Sequence, residues 1–219
     1  MTTHPTPARC RRVAREEGLA PALALLCREA LPDLLPCGPG GHAVVPAEIA
    51  ATADRVWQDG RVSVRVEGEE EVLARRTLLD GSLVAVRHRP GGATEIGDRR
   101  GVWELGLVWL RLGVSEGLLD ACVRYLAGRE AGDTTVLSQQ MVKGAVADVL
   151  IEQLEVHAVL TGDAADTAEV AHLHTQLTAA DRALLRLFGA SGFLADGPGA
   201  IAYRSELLAE AYTPAEVTG

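Results

Sequence analysis

Apolar residues recur at helical spacing through the second half of the chain. Between Val102 and Leu126, residues Leu105, Val108, Leu112, Leu119, Cys122 and Leu126 fall three, four and seven apart, the repeat that lines one helix face. Gly106, Gly113 and Gly117 break into this helix. Each costs about 0.5–1 kcal/mol relative to alanine in a helix interior, so close helix packing, or else the approach of a ligand, has to offset them. A second helix is predicted from about Thr135 to Leu160, with Leu137, Met141, Val149, Leu150, Leu154 and Val156 among its apolar positions and Gly162 placed to cap it. A third spans Asp166 to Phe188. A fourth runs from Ala200 to Tyr212, behind the Gly197-Pro198-Gly199 break. Three long helices and a shorter one on short connections predict an antiparallel four-helix bundle.

The first half reads differently. Val13, Leu19, Leu23 and Leu26 mark a helical stripe between Ala8 and Ala30, split into two helices around Gly18 to Pro21. Leu31 to Pro46 is punctuated by proline and glycine and predicts a linker or irregular cover. Arg61 to Val66 alternates as RVSVRV between the turn signals Asp59-Gly60 and Glu67-Gly68, which is a strand period. Leu83 to Arg87 is a second such run, and Glu69 to Leu79 between them is a short helix or a third strand. The prediction is a small antiparallel unit of two to four strands. The fold class is therefore mainly α with a small β portion. The expected segments are 1–43 (N-terminal helices and Pro/Gly linker), 44–98 (β-rich) and 99–219 (bundle).

With 219 residues, 47% of them apolar and only eight aromatic, the core has to be built from Leu, Val and Ala. The formal charge of -9 weighs against a nucleic-acid partner or an anionic membrane. No window has the length of a membrane span and no signal peptide is expected, so a cytoplasmic protein is the default. Cys10, Cys27, Cys37 and Cys122 have neither metal-ligand spacing nor a disulfide framework; they read as small apolar residues or free surface thiols. His172 and His174, two apart on a helix, diverge and read as surface histidines, so no metal site is expected. Nucleophile-elbow and phosphate-loop motifs are absent. Glu104 and Glu116 in the first bundle helix are the acid-base candidates, because burial there would raise a carboxyl pKa.

One corner carries more information. From Arg182 to Tyr212 the chain reads RALLRLFGASGFLADGPGAIAYRSELLAEAY, with Gly189, Gly192, Phe193, Arg204 and Tyr212. Upstream, Tyr125 stands four before Arg129, and Gln140 stands eleven beyond it. In these residues, at these intervals, Val102 to Ala215 resembles the C-terminal bundle of the acyl-CoA dehydrogenase family. The resemblance implies that Arg129, Gln139, Gln140, Arg186 and Gly189 face the adenosine diphosphate part of an FAD bound mainly to a neighbouring subunit. It also implies that segment 44–98 is a remnant of the family's middle β domain.

The departures are as specific. Thr213 stands immediately after the tyrosine, where most members place the catalytic glutamate, and Pro214 and Ala215 replace the glycine and threonine that follow. Gly132 replaces a phenylalanine, Ala190 the second turn glycine, and Arg186 a glutamine. Some members carry the base in the first bundle helix. Glu104 is the nearest candidate here, one turn early, with Leu107 at the expected place.

The expected function is a catalytically degenerate acyl-CoA dehydrogenase-like subunit, not an independent enzyme. It would act in assembly or binding as a homo-oligomer, or as a hetero-oligomer with a full-length relative. The isolated chain is expected to hold no cofactor, with FAD placed at a subunit interface. The alternative is an FAD-dependent dehydrogenase of an acyl thioester, active as an oligomer, with its base from Glu104 or Glu116. A bundle repurposed for another ligand is the third possibility.

Overall fold

Helix α4, Arg100–Ala127, touches helices on every side of the molecule. The computed structural model describes residues 5–66, 68–89, 94–95, 99–162, 167–194 and 197–213. From Gly106 to Ser115 every α4 residue is buried, as expected of a helix apolar all round. Around it pack α1 (Pro5–Glu16), α2 (Leu19–Ala30), α5 (Gln140–Thr161), α6 (Thr167–Phe188) and α7 (Pro198–Tyr212). The last three form the antiparallel bundle with α4.

The glycines of α4 are explained by packing. A Cβ on Gly113 would collide with the Arg11 carbonyl and come within 2.9 Å of the Ala14 Cβ, and one on Gly117 would lie 3.2 Å from the Arg15 carbonyl. The backbones of α1 and α4 therefore cross in contact. Side chains flank the crossing: Arg11 Nε lies 2.9 Å from Glu116 Oε2, and Arg15 Nε lies 2.8 Å from Asp120 Oδ2.

Leu31 to Pro46 is not irregular cover. It holds β1 (Leu34–Cys37) and β2 (His42–Pro46), joined by a turn in which the Gly41 N–H donates to Gly38 O. Every β1 residue is buried, so no alternation marks it, and Pro36 is accommodated because β1 is an edge strand. After α3 (Ala47–Thr52) come β3 (Arg55–Gln58), β4 (Arg61–Val64), β5 (Glu70–Leu78), β6 (Gly81–His88) and β7 (Thr94–Glu95). One sheet has the order β1-β3-β4-β7 and the other β2-β6-β5.

The expectation of one small antiparallel unit is thus corrected in two ways. Among the described residues, β1 to β7 form two sheets, and β1 pairs with β3 in parallel, Leu34 opposite Arg55, because β2 and α3 carry the chain away between them. Glu69 to Leu79 resolves as strand. Beyond α4, a short hairpin of β8 (Glu130–Ala131) and β9 (Thr134–Thr135) and a 3-10 turn delay the start of α5 to Gln140.

A continuous core runs from α2 through the sheets to the bundle, including Leu23, Leu35, Val56, Trp103, Leu110, Leu184 and Leu208. A smaller cluster, Val108, Trp109, Leu112, Val156, Leu173 and Leu177, joins α4, α5 and α6. All four cysteines are unpaired and buried, not surface thiols, and burial pushes each thiol pKa up. Among the described residues no helix is long and apolar enough to cross a membrane.

Candidate functional site

The residues singled out in the sequence lie in two regions. Tyr125, near the C-terminus of α4, puts its hydroxyl 2.8 Å from Ser191 Oγ in the 3-10 turn Gly189–Phe193 behind α6. Because α5 runs back along α4, its N-terminus reaches this same end. Arg129, Gln139, Gln140, Arg186 and Gly189 therefore share one end of the bundle, and all five are exposed. Arg129 is held over the Tyr125 ring, 5.2 Å from its centroid, and donates to the Tyr125 hydroxyl. Gly189 has φ +56°, the left-handed region that favours glycine at a helix end. The end is exposed and carries two guanidiniums and two amides. A pyrophosphate delivered from outside fits that donor set.

The α4 carboxylates are differently placed. Glu104 accepts from Arg100 Nε at 3.0 Å, and Arg100 also contacts Asp59. Glu116 is held by Arg11, with Arg15 at 3.9 Å. Glu116 joins α4 to α1, Glu104 is paired within α4, and each carboxylate faces an arginine. Thr213 caps α7, its N–H donating to Ala209 O at 2.8 Å. Tyr212 just before it is buried against β2, its ring edge-on to Trp103 at 5.1 Å.

The sequence reading missed a buried polar constellation at the centre of the bundle. Arg111 is fully buried on α4. Its Nε donates to Ser205 Oγ on α7 at 3.0 Å. Its other nitrogens donate to His174 Nδ1 at 3.0 Å, to the His174 carbonyl at 3.1 Å and to Thr178 Oγ1 at 2.8 Å, all on α6. His174 is thus not a surface histidine, although its neighbour His172 is exposed. Arginine only donates, so His174 Nδ1 is the acceptor and the ring is neutral. Burial, reinforced by Arg111, lowers its pKa to about 3.

Asp181 completes the set. Burial pushes its carboxyl up to about 7, against the opposing pulls of the Ser115 hydroxyl and Arg111. Neither carboxyl oxygen has a hydrogen-bond partner. The Ser115 hydroxyl stands near it but outside bonding geometry, and it accepts from Gln153 Nε2 at 2.9 Å. The sequence signal for this constellation was a lone arginine inside the apolar stretch LVWLRLGV.

A groove of about 310 Å³ opens between the α1–α2 corner, the β5–β6 turn, α4 and α7. Leu19, Val114, Leu118 and Ile201 form its floor, and Arg15, Asp80 and Arg204 stand at its rim. Among the described residues no group of His, Cys, Asp or Glu is arranged to hold a metal ion.

No protein-family model matches the chain, and no curated protein is similar to it. Solved structures are similar in fold. A chain of the ChsE4–ChsE5 complex from Mycobacterium tuberculosis superposes with a TM-score of 0.62 at 18% identity, over 94% of this chain and 74% of that one. A variant of the Tcur3481–Tcur3483 steroid ACAD gives 0.56 at 18% identity, over 93% and 68%. A glutaryl-CoA dehydrogenase from Mycobacterium smegmatis, in complex with FADH2, gives 0.50 at 13%, over 80% and 55%. The chain thus spans about half the length of this last protein. At these identities what is shared is the fold.

Proposed function

We propose that this chain, which carries the acyl-CoA dehydrogenase fold, is a catalytically degenerate acyl-CoA dehydrogenase-like subunit that assembles with itself or with a full-length relative. The outward face of α5 carries this reading. Ala147, Leu150, Ile151, Leu154 and Ala158 recur at three- and four-residue steps and all are exposed, while Val149, Gln153 and Val156 on the other side are buried. A helix apolar on both sides calls for cover on both. A seam of leucine and isoleucine at that spacing suits a second helix. ChsE4 and ChsE5 form a complex, a precedent for two chains joining around this fold.

In this reading Arg129, Gln139, Gln140, Arg186 and Gly189 receive the adenosine diphosphate part of an FAD held mainly by the neighbouring subunit. The flavin, when bound there, supplies hydride acceptance. Thr213 cannot replace a glutamate as general base, since its hydroxyl holds its proton at any working pH. The unpaired cysteines suit a cytoplasmic setting.

Co-expression with a full-length acyl-CoA dehydrogenase tests the proposal. The two chains are expected to co-elute, with flavin in the mixture and none in this chain purified alone. Leu150→Glu with Leu154→Glu should disperse the assembly while the circular dichroism spectrum is kept. A yellow protein that desaturates acyl thioesters on its own would overturn this reading.

That result would instead support the second reading, an FAD-dependent dehydrogenase of an acyl thioester, active as an oligomer. The groove favours it: an apolar floor with charged residues at the rim suits an acyl chain with a polar head. Glu104 or Glu116 would then be the base, released from its arginine.

A further inference from the structure

Strand β5 is the edge of its sheet, and among the described residues its one strand partner is β6. From Glu71 to Thr77 every residue is exposed, on both sheet faces. Val72 and Leu73 are each 49% exposed, and Leu79 in the following turn is 99% exposed. An edge of this length offers unpaired N–H and C=O groups to another strand. Its sequence, EEVLARRTL, puts acid at one end and base at the other. Glu70 is already held by Arg65 Nε at 2.6 Å. Glu71, Arg75 and Arg76 have no ion-pair partner among the described residues.

We propose that β5 pairs antiparallel with β5 of a second copy of this chain, with Glu71 opposite Arg76 of that copy and Arg76 opposite its Glu71. The register settles whether these side chains can meet. Glu71 and Arg76 are an odd number of residues apart, so in a regular strand they would point to opposite faces. This strand carries a bulge: Val72 lies opposite Val86 but Ala74 lies opposite Ala85, leaving Leu73 as an extra residue. Glu71 therefore pairs with Arg87 and Arg76 with Leu83. Those β6 positions share a face, and so do the residues opposite them. The bulge aligns the acid with the base.

In the same register Val72 faces Arg75, and Leu73 and Ala74 lie together on the dyad. A two-fold axis there makes every contact occur twice. The charges also select the partner. A strand with the charges reversed would set like against like at Glu71 and Arg76, whereas an antiparallel copy places opposite charges at both positions. A single edge strand buries little surface, so this contact is a weak dimer that forms as concentration rises.

Sedimentation velocity across a wide concentration range tests the pairing, using the full chain with Leu154→Glu so that α5 contacts do not obscure the result. This background should dimerise, and either Glu71→Arg or Arg76→Glu alone should leave it monomeric. Each single variant sets like charges against each other in its own dimer. Mixed together they set unlike charges against each other, so the mixture should dimerise again, an outcome misfolding would not produce. The inference is overturned if the background stays monomeric at the highest soluble concentration, if the single variants still dimerise, or if their mixture does not. Failure of the assembly proposed through α5 would appear instead as unchanged co-elution on Leu150→Glu with Leu154→Glu, so the two results are separable.

Discussion

The hydroxyl of Tyr212 sits between the two backbone polar groups of Val44: the Val44 N–H donates to it at 3.1 Å, and it lies 3.0 Å from the Val44 carbonyl. This ties the last helix to β2 and fixes where Thr213 leaves α7. Tyr212→Phe keeps the ring against Trp103 but leaves the Val44 N–H without its acceptor. The expected cost is about 1–3 kcal/mol, read as a lower urea midpoint with an unchanged m-value.

Asp181 and His174 make opposite pH dependences. The native pKa of Asp181 is raised from 3.8 to about 7, so between those values the folded state holds a proton the unfolded state has lost. Its contribution therefore falls as pH rises through that window. His174 is lowered from 6.5 to about 3, so its contribution is lost as pH falls through that range. Between about pH 4 and 6.5 the two slopes, each near 1.4 kcal/mol per pH unit, oppose one another. Relative to the parent, Asp181→Asn should gain a stability that rises with pH across that window, and His174→Gln one that falls with pH. Chemical denaturation at stepped pH checks both signs.

Arg111→Lys should lose more than a surface arginine would. An ammonium cannot reach the acceptors on α6 and α7 in the fork geometry that the guanidinium provides. Ser205 or Thr178 is then left unpaired in the core, and the expected loss is about 2–4 kcal/mol. Thermal unfolding followed by circular dichroism measures it.

Gly113→Ala should destabilise the chain by about 1–3 kcal/mol through overpacking of the α1–α4 crossing. Gly117→Ala, whose Cβ would sit 3.2 Å from the Arg15 carbonyl, should cost less. Equal effects at the two positions would mean that α1 shifts as a rigid body. Denaturant midpoints of the two variants make the comparison.

The bundle was legible because its helices advertise a period. The Leu105 to Leu126 spacing predicted α4 within two residues at its start and one at its end, and the Gly197-Pro198-Gly199 break placed the start of α7 at Ala200, two residues late, because Pro198 opens the helix instead of preceding it. Strands β1 and β2 were not legible. β1 is buried throughout and so has no alternation to read, and the prolines and glycines around it resemble a loop. β5 gave no clear answer because both its faces are exposed. The polar constellation was hidden for another reason: Arg111, His174, Asp181 and Ser205 converge only after three helices have packed. The family resemblance located Arg129, Gln140 and Gly189 by interval, and they share one end of the bundle. It gave no hint of Arg111.

The four buried cysteines sit in four different elements: Cys10 in α1, Cys27 in α2, Cys37 in β1 and Cys122 in α4. A native chain should therefore be inert towards alkylating reagents, and each thiol becomes reactive only when its own element detaches. The order in which they are labelled under mild denaturant is thus an internal clock, recording without any introduced probe which part of the architecture lets go first.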